Sequence, residues 1–177
     1  IVMIIGSLRK DSYNRKTAET MIGLLPEGFK GRIVEIGSLP YYNEDLDHGN
    51  PPAEWIKFRE EIHKADGVMF FTPEYNRSIS AVIKNALDVA SRPYGKNEWN
   101  GKPACVVSVS IGAIGGFGAN HHLRQSLSFL NMPCMQQPEA YIGNVANLME
   151  NGEFKENTKD FFMKITSAYA EWVKLFR

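Results

Sequence analysis

Ser7, Arg9, Ser12 and Asn14 fall within one short stretch, Gly6-Ser7-Leu8-Arg9-Lys10-Asp11-Ser12-Tyr13-Asn14. Together they bring two hydroxyls, a guanidinium and an amide to one place, the donor set that holds a dianionic phosphate monoester. A helix opening nearby would add aligned N–H groups and a favourable dipole. The stretch contains neither G-x-x-x-x-G-K-[ST] nor G-x-G-x-x-G, so a phosphate bound here would be held by side chains rather than by a glycine cradle. Taken alone it reads equally well as a polar surface loop, with Arg9 a solvated charge.

Two further stretches carry chemistry. Thr72-Pro73-Glu74-Tyr75-Asn76, continuing through Arg77, is a turn whose successive backbone N–H groups can donate to a flavin's N5 and O4. Ser110 precedes Ile111-Gly112-Ala113-Ile114-Gly115-Gly116-Phe117-Gly118, whose four glycines permit a close approach of backbone to a ligand. A phosphate loop, a turn of donors and a glycine-rich loop suit a flat ring joined through a chain to a phosphate, which describes flavin mononucleotide (FMN).

The elements around these stretches place them on one rim. Ile1-Val2-Met3-Ile4-Ile5, a core strand, precedes the first stretch, Val68-Met69-Phe70-Phe71-Thr72, a strand covered on both faces, the second, and the strand from Pro103 to Ser110 the third. Gly31 to Ile36 is a further strand, and Cys134-Met135 with Glu139 to Ile142 suggests a fifth. Between them lie helical patterns: from Thr17 with Ala18, Met21, Ile22 and Leu25, stopped at Pro26-Glu27-Gly28; after Pro51-Pro52 with Trp55, Phe58, Ile62 and Ala65; after Ser80, a plausible cap, with Ile83, Ala86, Leu87 and Ala90; and with Leu123, Leu127 and Leu130. Asn151-Gly152 marks a turn, and Phe161, Ile165, Tyr169, Trp172 and Phe176 stripe a last helix. Alternating strands and helices predict a three-layer α/β fold in which ligands sit beyond the carboxyl ends of the strands. The loops after strands one, three and four then converge.

At 177 residues and 44% hydrophobic, the chain has material for one substantial core, and 1–177 is read as a single domain. Twenty basic and twenty acidic residues give a formal charge of zero, which makes no case for nucleic acid or an anionic membrane as partner. Cys105 and Cys134 lack a C-x-x-C spacing and read as buried and reduced, hence cytoplasmic. His48, His63, His121 and His122 show no metal-ligand spacing, so no metal is expected. No stretch approaches the roughly 20 apolar residues of a membrane helix, and the first five residues lack a basic leader and cleavage site.

The sequence resembles the NADPH-dependent FMN reductases of flavodoxin-like fold, which include bacterial quinone and chromate reductases. The resemblance rests on Gly6-Ser7-Leu8-Arg9 with Ser12 and Asn14, on Thr72 to Asn76 with Ser78 and Lys84-Asn85-Ala86, on Gly101-Lys102-Pro103, and on Gly112 to Gly116 with His122-Leu123-Arg124. It implies a five-stranded parallel sheet of order 2-1-3-4-5. It implies that Ser7, Arg9, Ser12, Tyr13 and Asn14 surround the FMN phosphate, that Pro73, Glu74, Tyr75, Asn76 and Arg77 lie at the isoalloxazine, and that Ser110 and Gly112 lie nearby. The activity it implies is hydride transfer from NADPH or NADH through bound FMN to a small acceptor, a quinone, free flavin, azo compound or chromate, in a ping-pong cycle with no catalytic residue required. A flavodoxin-type electron carrier is the alternative, disfavoured by Arg9 and the neutral charge. Related proteins form homodimers or homotetramers, with the loop from Tyr94 to Trp99 and the glycine-rich loop as candidate contacts. Tyr75, Tyr94 and Trp99 are open to two readings, substrate platforms or core and interface contacts. For Glu74 either the backbone or the carboxylate is the part that matters. The family's usual Pro-Gly after the turn is Ser80-Ala81 here.

Overall fold

The computed structural model describes residues 1–176. In chain order the elements are β1 (Val2–Ile5), α1 (Tyr13–Gly23), β2 (Arg32–Val34), the short α2 (Glu44–Asp47), α3 (Ala53–His63), β3 (Val68–Thr72), α4 (Ala81–Ala90), β4 (Ala104–Val109), α5 (Phe117–Phe129) and β5 (Ala140–Ile142). A 3-10 turn (Val145–Leu148), strands β6 (Met149–Glu150) and β7 (Glu153–Phe154) and helix α6 (Glu156–Lys174) follow. Five strands form a parallel sheet in the order β2-β1-β3-β4-β5, as the sequence reading expects.

Side chains alternate across each strand, so both faces of the sheet must be covered. Val2, Ile4, Val68, Phe70 and Val106 face one layer, built by Trp55, Phe58 and Ile62 of α3, Ile83 and Leu87 of α4, and Leu123 and Leu127 of α5. Met3, Ile5, Met69, Phe71 and Val107 face the other, built by Ala18 and Met21 of α1 and by Phe162, Ile165 and Tyr169 of α6. The connection leaving β1 therefore crosses one face while the one leaving β3 crosses the other. The sheet's switch point lies between them, where ligands bind in such folds.

Several boundaries differ from the sequence reading. Helix α1 starts at Tyr13 rather than Thr17 because Ser12 caps it, its Oγ accepting the Arg15 N–H at 3.2 Å. It ends at Gly23, ahead of Pro26 and leaving Leu25 outside. Ser80 occupies the N-cap position of α4, yet its hydroxyl makes no capping bond. β5 is confined to Ala140–Ile142, and Cys134 contributes only an isolated bridge to Ala104. The buried stripe of α6 runs through Phe162, Ile165, Tyr169 and Val173, with Phe161 and Trp172 at its margin and Phe176 exposed. Asn151-Gly152 closes the β6–β7 hairpin with both residues left-handed, φ 50° and 84°.

Trp99 is fully buried, donating its indole N–H to Leu87 O at 3.0 Å and packing on Phe58 and Phe70. It is a core residue, which removes it as a substrate platform or interface contact. The loop after β2 is anchored through Arg59, whose guanidinium forms a two-armed pair with Asp47 at 2.9 and 2.8 Å and also donates to Val89 O. Asp47's side chain is only 3% exposed. Asp47→Ala leaves the largely buried Arg59 guanidinium with Val89 O but without its carboxylate and is expected to lower the unfolding free energy by about 3–5 kcal/mol in urea titrations. A loss under about 1 kcal/mol would place the pair with ordinary surface contacts.

Candidate functional site

Parallel strands end at one edge, so the loops after β1, β3 and β4 emerge side by side. Gly6 N–H donates to Phe71 O at 2.8 Å, closing the β1 and β3 ends together. A Cβ on Gly6 would stand 2.4 Å from Ile83 Cδ1 and 2.8 Å from Ser80 Oγ, so only glycine lets the first loop lie against the start of α4.

The first loop is a set of donors without acceptors. Among the described residues, none of the backbone N–H groups of residues 8–14 makes a hydrogen bond within the protein, and neither does the exposed Arg9 side chain. Ser7 and Asn14 are buried, at 7% and 5% exposure, and the Asn14 Oδ1 is sealed without a partner. Ser12 is buried at the cap of α1, its oxygen engaged by Arg15 and its proton free to donate. Tyr13 opens α1 and packs against the core beneath the loop. Buried polar atoms are ordinarily satisfied, and the donors here match a polyanionic group.

The second loop is a tight turn. Tyr75 N–H donates to Ser78 O at 3.0 Å and Ser78 N–H to Tyr75 O at 2.9 Å, with Asn76 and Arg77 both left-handed at φ 52° and 64°. This mirror-image turn points the Asn76 and Arg77 N–H groups away from the turn, and neither has a partner in the protein. Pro73 is buried behind it, while Tyr75 is half exposed. Glu74 points into the fold: its Oε2 accepts the Ala119 N–H at 3.0 Å and its Oε1 the Arg77 Nη1 at 2.6 Å. Burial alone would raise the Glu74 pKa, but the Ala119 N–H, the Arg77 guanidinium and the Gly118 N–H together hold it below the ordinary value.

The third loop is built on its glycines. A Cβ on Gly115 would meet Tyr141 C at 2.8 Å, and one on Gly143 the Ala113 O at 2.4 Å, so the loop lies flush on the end of β5. Ser110 turns its hydroxyl inward, its Oγ accepting Gly112 N–H at 3.0 Å, and the exposed Gly112 accepts Asn144 N–H at 3.1 Å. Ile111, Ile114 and Phe117 remain exposed beside it. Burial, and then the hydrogen bond to Glu139, push the Tyr141 hydroxyl up to about 12.

All twelve predicted site residues thus lie on three loops of one edge, or in the first turn of α1. Sequence reasoning missed the residues that hold those loops. Ser78 Oγ lies 2.7 Å from His122 Nδ1. Asn85 bonds Leu39 O, Pro40 O and Tyr42 N–H, tying the loop after β2 to α4. Ser80 places a buried, unpartnered hydroxyl under the first loop. His122 and Asn85 stood in recognisable motifs, but no spacing rule says which loop each reaches. Among the described residues, no cluster of His, Cys, Asp and Glu is arranged to hold a metal, and no helix is long and apolar enough to cross a membrane.

Residues 1–147 match the model of the family described as NADPH-dependent FMN reductase. A quinone reductase of Pseudomonas putida is 55% identical, covering 100% of this chain and 96% of the relative. A 2-hydroxy-1,4-benzoquinone reductase of a Burkholderia species is 41% identical over 98% of this chain and 96% of its own. Among solved structures, the flavoenzyme NAD(P)H:(acceptor) oxidoreductase FerB of Paracoccus denitrificans superposes with a TM-score of 0.92 at 37% identity, covering 99% of this chain and 97% of that one.

The geometry at Glu74 makes a pH prediction. A carboxyl whose folded pKa lies below its ordinary 4.5 adds stability above that value and loses it as pH falls through the folded value. Glu74→Gln is therefore expected to lower the thermal midpoint more at about pH 7 than at about pH 3. Equal differences at both would detach the carboxylate charge from the clamp.

Proposed function

The chain belongs to the NADPH-dependent FMN reductase family, and from that membership we propose a single FMN-binding domain, spanning 1–177, that reduces small acceptors with NADPH or NADH in a ping-pong cycle. It is an oxidoreductase of the FMN reductase and quinone reductase class, with FMN as cofactor and a nicotinamide nucleotide as donor. The observation that carries the reading is the pairing of two unsatisfied donor sets, residues 8–14 and the Asn76 and Arg77 amides, on adjacent strands at the switch point.

The residues present fit FMN. Arg9, Ser7, Ser12, the Asn14 side-chain NH2 and the first-turn N–H groups of α1 would supply charge and donors for its phosphate. Pro73 to Arg77 hold the ring, with the Asn76 and Arg77 N–H groups as donors for its polar edge, and Ser110 and Gly112 border it. Bound there, FMN supplies the two-electron carrier between donor and acceptor. The protein's part is to bind, orient and leave one face open. Exposed Tyr75, Ile111, Ile114 and Phe117 offer apolar surface beside that face, which favours flat acceptors such as quinones, free flavins and azo compounds, with chromate also in range.

Homodimer or homotetramer formation is part of this proposal, supported by the exposure of Tyr94 and Phe129 on the outer side of the fold. So is a cytoplasmic location, supported by two free cysteines. A light-scattering mass of 20.0 kDa at working concentration would refute the oligomer.

The protein loaded with FMN, desalted and treated anaerobically with one equivalent of NADPH or NADH should keep its flavin bands, bleach with at least one nucleotide and recover colour on adding a quinone. Retained flavin that neither nucleotide bleaches would refute the reductase reading. Arg9→Ala removes one charge-assisted phosphate contact and is expected to weaken FMN binding about 10- to 150-fold in fluorescence titrations. An unchanged dissociation constant would take Arg9 out of the site.

A further inference from the structure

Helix α5 begins on a residue that cannot cap it. Gly116 sits at the N-cap with φ 74° and offers no side chain, while the first N–H groups of a helix have no intrahelical partners. Glu74 supplies the missing acceptor from another loop. Its Oε2 takes the Ala119 N–H at 3.0 Å, and its Oε1 takes Arg77 Nη1 at 2.6 Å. One carboxylate thus joins the start of α5 to the donor turn. Ser78 and His122, 2.7 Å apart, tie the two together again one helical turn further on. The approach is close: a Cβ on Gly118 would stand 3.0 Å from Glu74 Oε2 and 3.1 Å from Arg77 O.

The turn itself needs such a clamp. Asn76 and Arg77 are both left-handed; asparagine tolerates this conformation, whereas an arginine holds it chiefly where its surroundings impose it. Released from α5, the turn would relax and its two free N–H groups would move. Resting on the FMN reading above, we propose that Glu74 is a positioning residue: by clamping the turn at Tyr75–Ser78 onto the N-terminus of α5, its carboxylate holds the Asn76 and Arg77 N–H groups where they favour the reduced cofactor over the oxidised one. Glu74 acts through the turn, and the ring-side contacts belong to the backbone it holds. The carboxylate charge is already balanced by Arg77 and the helix N-terminus, so position rather than net charge is what it contributes.

Two substitutions separate position from charge. Glu74→Asp keeps the charge but shortens the reach by one methylene. Gly118→Ala keeps Glu74 but crowds both its carboxylate, 3.0 Å from the new Cβ, and Arg77 O, 3.1 Å from it, so it disturbs the clamp and the turn together. The readouts are the midpoint potential of the FMN-loaded protein against reference dyes, the dissociation constant for oxidised FMN and the thermal midpoint of the flavin-free protein. Both variants are expected to shift the potential to more negative values, corresponding to about a tenfold fall in the preference for reduced over oxidised FMN. A shift in Gly118→Ala reports displacement of the turn by either route, so Glu74→Asp carries the assignment to the carboxylate. If both variants bind FMN with a preference within about twofold of the parent, the proposal is overturned. Should Glu74→Asp fail to fold, Glu74→Gln, which keeps the reach and removes the charge, takes its place: a preference within about twofold of the parent supports positioning, and a roughly tenfold shift assigns the effect to charge and overturns the proposal. A parent protein that retains no FMN fails at the cofactor step instead, and that failure belongs to the functional reading.

Discussion

Parallel pairing of β1 between β2 and β3 is the constraint from which the site follows. Once both neighbours of β1 run in its direction, every strand must end at the same edge and every connection must cross a face. The chain uses opposite faces for the crossings that leave β1 and β3, so those two adjacent strands deliver their loops to a gap that no helix closes. The first loop and the donor turn meet there because of strand order, and neither needs a direct contact with the other to be placed.

Two kinds of hydrogen-bonding group meet at that gap, and they are held differently. The donors of the first loop are held from below, by the cap of Ser12 on α1 and the close approach of Gly6 to α4. Those of the turn are held from the side, through Glu74, Ser78 and the start of α5. The first arrangement leaves donors free because a helix terminus and a loop have more N–H groups than acceptors. The second leaves them free because a mirror-image turn directs its two central amides outward. Leu8 to Asp11, Asn76 and Arg77 are exposed, so these donors face solvent and stay available to a ligand. A protein that keeps both on one edge is arranged around something that accepts.

The rest of the molecule secures the sheet. Trp99 and Trp55 fill the layer over β1 and β3, each with its indole N–H satisfied by a backbone carbonyl, so the large rings bring no unpaired donor into the core. Arg59 and Asp47 fasten the loop after β2, and Asn85 joins that loop to α4. These contacts keep the neighbouring loop in place beside the first one, where Gly37 lies against Leu8.

The sequence by itself determined the main strands and helices and their alternation, while the strand order came from the resemblance to a known family. The continuous apolar run at Val68 to Thr72 reads as a strand buried on both faces and Pro103 to Ser110 as a further strand, and the unusual residue types of the three loops stood where such strands end. Local chemistry also specified the Asn151-Gly152 turn. Tertiary structure decided what no local pattern encodes. Trp99 lies in a loop whose sequence leaves it open as core, interface contact or substrate platform, and only the packing of α3 and β3 shows it to be core. Ser80 holds a cap position without capping, because its hydroxyl turns toward Gly6. Above all, the partner of the Glu74 carboxylate lies 45 residues away on Ala119, at a helix whose own cap is a glycine. Periodicity reports which face of an element is buried, whereas a hydrogen bond between two loops depends on where the crossovers bring them, and that is settled only when the sheet has formed.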